Sequence, residues 1–158
     1  MTAQTQSQKM AQSAYSVIAA RFQVPKPVVG DGITYPESDQ SSQAEIPATT
    51  TDSSNLDTGS KLSFDKFASF AREFPALVHS CGLAQAVAFA KAKGAHQLEY
   101  LNDLTHVLKA VGHFEATSPD SLSIATREHS ISAYIRLSRD ALLAAGWMKR
   151  FVEARGEE

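Results

Sequence analysis

Apolar residues recur along this chain at spacings of three and four, and no segment sustains two-residue alternation bounded by turn residues. Ala11, Tyr15, Ile18 and Phe22 form one stripe, which predicts an amphipathic helix over residues 3–22. Pro25 and Pro27 end it, because proline restricts the residue before it and cannot continue the hydrogen-bond ladder. Helical pattern resumes at Leu62, where Phe64, Phe67, Ala71 and Phe74 share a side up to Pro75. Pro75 suits the first turn of a third helix, which carries Leu77, Cys81, Ala84 and Ala88 and runs to about Lys93. Gly94 is its expected C-cap. Leu98, Leu101, Leu104, Leu108 and Val111 mark a fourth helix, and Gly112 with Ser118-Pro119 marks a break. Asp120 or Ser121 caps a fifth helix from about Leu122 to Ile135, with Ile124, Ile131 and Ile135 as its seam. Ser138 caps the last, whose stripe is Leu143, Trp147 and Phe151. The fold class predicted is all-α: a small helical bundle of about six helices.

One interval breaks the pattern. Residues 23–60 are dominated by Pro, Ser, Thr, Gly and acids. So few apolar side chains cannot bury enough surface to offset the entropy of ordering. A long disordered loop after the first helix is predicted, as an insertion or a functional arm, with insertion favoured by its lack of motifs. The expected organisation is an N-terminal helix over 1–22, the flexible loop over 23–60, and a helical body over 61–156.

Composition adds limits. The chain has 158 residues, enough for one domain with a real core, and 43% apolar and 20% charged residues are ordinary for a globular protein. No apolar run approaches the roughly 20 residues that span a bilayer. The polar, Gln-rich start shows no secretory signal, so a cytoplasmic location is expected. The net charge of −2 conceals an uneven distribution. Residues 1–22 carry +2, residues 23–60 carry −5 and residues 61–156 carry +3. The helical parts are mildly basic, which permits phosphate contact without requiring it.

Candidate chemistry is sparse. Cys81 is the single cysteine, which excludes an internal disulfide and a multi-cysteine zinc site. Its apolar helix side makes it a core residue rather than a nucleophile. His79, His96, His106, His113 and His129 show no metal-ligand spacing, and surface or half-buried positions are expected for them. Gly82 and Gly94 have neither the preceding strand nor the following Lys-Ser/Thr of a phosphate-binding loop. Trp147 has the aromatic face that stacks on bases, but its stripe favours core or subunit contact. No catalytic residue, metal or cofactor is expected.

Two runs carry a family resemblance. One is Phe74-Pro75-Ala76-Leu77 followed by Cys81-Gly82-Leu83-Ala84-Gln85-Ala86-Val87-Ala88-Phe89. The other is Tyr134-Ile135-Arg136-Leu137-Ser138-Arg139-Asp140-Ala141-Leu142, closing on Trp147-Met148-Lys149-Arg150-Phe151. Together, over roughly residues 61–155, the chain resembles the small subunit of the type III-B CRISPR effector, the Cmr complex. The first helix fits less closely, and the loop from Gln23 to Ser60 departs from the compact family pattern. The resemblance implies a small helical bundle that stacks side by side in a filament and lines the groove where guide RNA pairs with target RNA. It implies no nuclease activity. Its implied partners are the backbone and large Cmr subunits, neighbouring copies of itself, and the guide and target RNA; no membrane is involved.

The basic residues are the candidates for RNA-backbone contact. Arg136, Arg139 and Arg150 fall within about a quarter-turn of one another if the last two helices run nearly continuous, with Lys149 flanking them. Lys66, Arg72, Lys91, Lys93 and Arg21 are further candidates. The competing readings are a solvated helix face, or ion pairs such as Asp140 with Arg136 or Arg139. The rival function is a helical protein–protein adaptor without RNA contact.

Overall fold

The computed structural model describes residues 4–22 and 55–156. Its elements are α1 (Gln6–Phe22), α2 (Asn55–Cys81), α3 (Leu83–Lys93), α4 (Ala95–Ala110), α5 (Pro119–Glu128) and α6 (Ile131–Gly156). Every regular element among the described residues is helical, as predicted. The predicted loop lies outside the described residues as far as residue 54. Its expected last residues, 55–60, belong to α2.

About six helices were expected and six form among the described residues, but several boundaries fall elsewhere. Pro75 does not open a helix; it lies inside α2, which continues to Cys81. An interior proline removes one ladder bond at about 3 kcal/mol. Phe74 and Val78 flank it, both buried in the core, so packing holds the helix through the defect. The break comes instead at Gly82, whose φ of 82° is open to glycine and strained for other residues. Gly82 N–H donates to the Val78 carbonyl at 2.9 Å, and its own carbonyl accepts from Ala86 at 3.1 Å, so one residue ends α2 and starts α3. Gly94 performs the same service between α3 and α4, with φ 147°.

The fifth helix starts earlier than expected and ends earlier. Ser118, not Asp120 or Ser121, is its N-cap. Ser118 Oγ accepts from Ser121 N–H at 3.1 Å, and Ser121 Oγ accepts from Ser118 N–H at 2.8 Å, which closes a reciprocal capping box. Thr5 and Gln8 form the same device at the start of α1. The chain turns at His129, and α6 then runs unbroken from Ile131 to Gly156. Ser138 therefore lies within α6 and caps nothing; its hydroxyl is buried without a partner among the described residues.

The core has two halves. In one, Phe67, Phe70 and Phe74 of α2 surround Tyr100 of α4, with ring centroids 5.7, 5.3 and 5.0 Å from the tyrosine ring. In the other, α1 lies against α4 and α6. There Met10, Ala14 and Ile18 meet an α6 seam of Leu137, Ala141, Ala144, Ala145, Met148 and Val152, all fully buried or nearly so. Of the expected α1 stripe, Ile18 is buried and Phe22 packs edge-on against Phe64 and Phe67. Tyr15 faces outward, while Ala11 and Phe22 are half-buried.

The α6 seam is not the predicted stripe. At 100° per residue, Leu143, Trp147 and Phe151 lie roughly 110° around the helix from the seam's centre. Leu143 is 44% exposed, and Trp147 and Phe151 pack only at the margin of the core. Ile131, Ile135 and Ile124 are likewise exposed rather than a seam. Small alanines face inward because they let α1 and α2 approach α6 closely.

Candidate nucleic-acid interface

The continuity of α6 decides where its cations go. Arg136, Arg139 and Arg150 fall within about 60° of one another on its outer side and span roughly 21 Å along the axis. All three are exposed. The expected ion-pair partner, Asp140, is engaged elsewhere: its Oδ2 accepts from His113 Nε2 at 2.8 Å and from the Gln6 amide at 3.0 Å. Among the described residues, none of the three arginines forms a salt bridge, so their forks remain open for a planar anionic group.

The ridge is organised by its apolar neighbours. Arg150 Cζ stands 5.1 Å from the centre of the Trp147 ring, a cation–π contact. Trp147 in turn stacks on Phe151 at 5.9 Å, and Phe151 meets the outward Tyr15 ring edge-on at 5.6 Å. Between Arg139 and Arg150 lies a groove of about 420 Å³ floored by Leu142, Leu143, Gly146 and Trp147. Gly146 leaves that floor open, since no atom lies within 4 Å of where its Cβ would stand.

The other candidates are placed differently. Lys149 lies on another side of α6, about 105° from the ridge centre, and pairs loosely with Glu153 at 3.8 Å. Lys66 and Arg72 are exposed on α2. Lys91 Nζ is held by Asp120 at 2.6 Å, tying α3 to the first turn of α5. Lys93 Nζ rests over the Phe89 ring at 4.8 Å.

Arg21 is built into the fold. Its Nε and Nη2 reach the two carboxylate oxygens of Asp103 at 2.6 and 2.7 Å, and its Nη1 reaches Glu99 at 3.2 Å. The Asp103 hydrogen bond raises the arginine's already high pKa despite the cost of its burial. Burial pushes the Asp103 carboxyl up, and Arg21 offsets this in part. With such short paired bonds the ionised pair is the form the geometry fits. Arg21 joins α1 to α4 and is not part of the ridge.

Sequence reasoning missed His113. It was expected at the surface or half-buried, but it is 4% exposed, between Asp140 on α6 and Glu115 at 3.1 Å. Desolvation pushes Glu115 up, but its own backbone hydrogen bond and His113 outweigh that, leaving the carboxyl below its ordinary range. The only sequence signal was the His-x-Glu spacing; Asp140 lies 27 positions away. Cys81 is half-buried and its thiol donates to the Leu77 carbonyl oxygen, consistent with a packing role. Among the described residues, no cluster of three or more His, Cys, Asp or Glu side chains is placed to hold a metal, and no helix is long and apolar enough to cross a membrane.

Comparison with known proteins gives this surface a family. Residues 54–155 match the family model described as CRISPR-associated protein (Cas_Cmr5). A curated relative from Thermus thermophilus, named CRISPR system Cmr subunit Cmr5, is 38% identical over 94 residues, covering 59% of this chain and 77% of the relative. A crystal structure of a CRISPR-associated Cmr5 family protein from the same organism superposes with a TM-score of 0.64 at 26% identity, covering 96% of this chain and 97% of that one. The helical body whose outer edge carries the arginine ridge thus coincides with the matched region, and the chain belongs to the Cmr5 family of CRISPR-associated proteins.

Proposed function

We propose that this chain is a non-catalytic small subunit of a type III-B CRISPR RNA-guided effector complex. It stacks beside neighbouring copies and the backbone and large subunits, and it supports the guide RNA–target RNA duplex in the cytoplasm by backbone contacts. The observation that carries the RNA part is the open ridge of Arg136, Arg139 and Arg150 on one uninterrupted helix. Three cations spaced along a rod suit a phosphate track, and no base-reading element is needed for such contact. Lys66 and Arg72 are secondary contacts in this reading, while Lys149, Lys91 and Lys93 contribute through weaker, partly engaged charges. Many weak subunit–RNA contacts in a row add through effective concentration.

The test is RNA retention by the assembled complex across a salt series. Replacing Arg136, Arg139 and Arg150 together by Gln is expected to weaken RNA retention and reduce the steepness of its salt dependence by roughly two to three phosphate contacts. Unchanged RNA retention with lost subunit assembly would select the rival reading, a helical protein–protein adaptor. One observation favours that rival: the apolar groove floor of Leu142, Leu143 and Trp147 lies between the arginines.

A further inference from the structure

We propose that the corner joining α4 to α5 holds one unpaired RNA nucleotide, its base stacked on Phe114 and its phosphate between Lys9 and Arg136. This site rests on the reading that RNA follows the α6 ridge, because Arg136 belongs to both. A strand tracking the ridge toward the start of α6 arrives at this corner.

The corner is a shaped site. A groove of about 360 Å³ runs between the first turns of α1 and the loop after α4, with Lys9 and Arg136 on its walls and Phe114 at its edge. Among the described residues no carboxylate lines it, and neither Lys9 nor Arg136 forms a salt bridge. The nearest acid in sequence, Glu115, directs an oxygen at His113 at 3.1 Å. Gly112 leaves the floor unfilled: its φ is 101°, and nothing lies within 4 Å of where a Cβ would stand.

Phe114 is 69% exposed, so its ring is accessible for stacking. Its backbone is anchored on both sides. His113 before it and Ala116 after it are buried, and His113 is tied to Asp140 on α6. The backbone of the corner is thus fixed before RNA arrives, which lowers the cost of ordering it on stacking. A planar base covers an aromatic face, and two cations beside it suit the attached phosphate. Gln6, the one side-chain amide at the groove among the described residues, donates its N–H to Asp140. The site therefore offers a stacking face with little hydrogen-bond readout and accepts any of the four bases.

The test is a titration of the full chain, with labelled Phe and Arg side chains, followed by nuclear magnetic resonance. The probes are a blunt RNA duplex, the same duplex with one unpaired nucleotide at an end, and that overhang made abasic. The expected result is that all three shift Arg139 and Arg150, while only the intact overhang shifts the Phe114 ring. Phe114→Ala should then lower affinity for the overhang duplex about 5- to 100-fold, leave the blunt duplex unaffected, and be rescued by Phe114→Tyr. A silent Phe114 beside shifting arginines would overturn this site and leave the ridge standing. An equal response to the abasic overhang would overturn base stacking. No response from either region would overturn the site and the ridge reading together.

Discussion

The two halves of the core are built on opposite principles. Between α2 and α4, bulk does the work: three phenylalanines enclose Tyr100. Between α1 and α6, closeness does it: the α6 seam holds three alanines among its six buried residues, while Leu143, larger than each of those alanines, faces outward. Side-chain size is thus a guide to burial in the first half and a misleading one in the second. What counts at the α1–α6 contact is the distance between helix axes, which large residues would increase.

That contrast can be broken by substitution. The largest effect belongs to the bulky half. Phe74→Ala should destabilise the fold by about 3–5 kcal/mol, because the cavity it leaves is walled by other rings that collapse poorly; urea unfolding followed by circular dichroism reads this directly. In the close-packed half the larger residue should be the harmful one. Ala144→Leu should cost about 1–3 kcal/mol by overpacking, whereas Leu143→Ala, one position away, should stay within about 0.5 kcal/mol. If the two exchange order in the same unfolding assay, the assignment of the α6 seam is wrong. An effect of the opposite sign sharpens the aromatic half. Tyr100 is fully buried and its hydroxyl has no hydrogen-bond partner among the described residues, with burial pushing its pKa far up. Tyr100→Phe removes that unpaired group and should raise stability by about 1 kcal/mol, measured as a higher melting temperature.

The same contrast explains what was legible in the sequence. The α2 stripe of Phe67, Ala71 and Phe74 and the α4 leucines at 101, 104 and 108 read correctly, because large apolar residues at helical spacing were the ones buried. The α6 seam was hidden because alanine carries little hydrophobic weight, and Trp147 and Phe151 drew attention to the wrong side. Pro75 and Ser138 suggest a helix start and a cap by local preference, but packing on both flanks carries the helices through them. The family resemblance was legible from the two composite runs, and the family-model match over residues 54–155 agrees with it. The arginine ridge was legible only on the condition that the last two helices join, a condition set by long-range contacts. Beyond reach were Asp140's choice of His113 over the neighbouring arginines, and Arg21's bidentate grip on Asp103 from 82 positions away. Both depend on which elements meet in space.

The single-residue joints at Gly82 and Gly94 set where this architecture can change length. With no slack on either side of α3, one inserted amino acid beside Gly82 would turn that helix by about 100° and swing Leu83, Ala86, Val87 and Ala90 away from their neighbours. The interval between Phe22 and Asn55 adjoins neither of these joints. An affinity handle grafted into that interval is therefore expected to leave the register of α3 untouched, whereas the same graft at either glycine would scramble it.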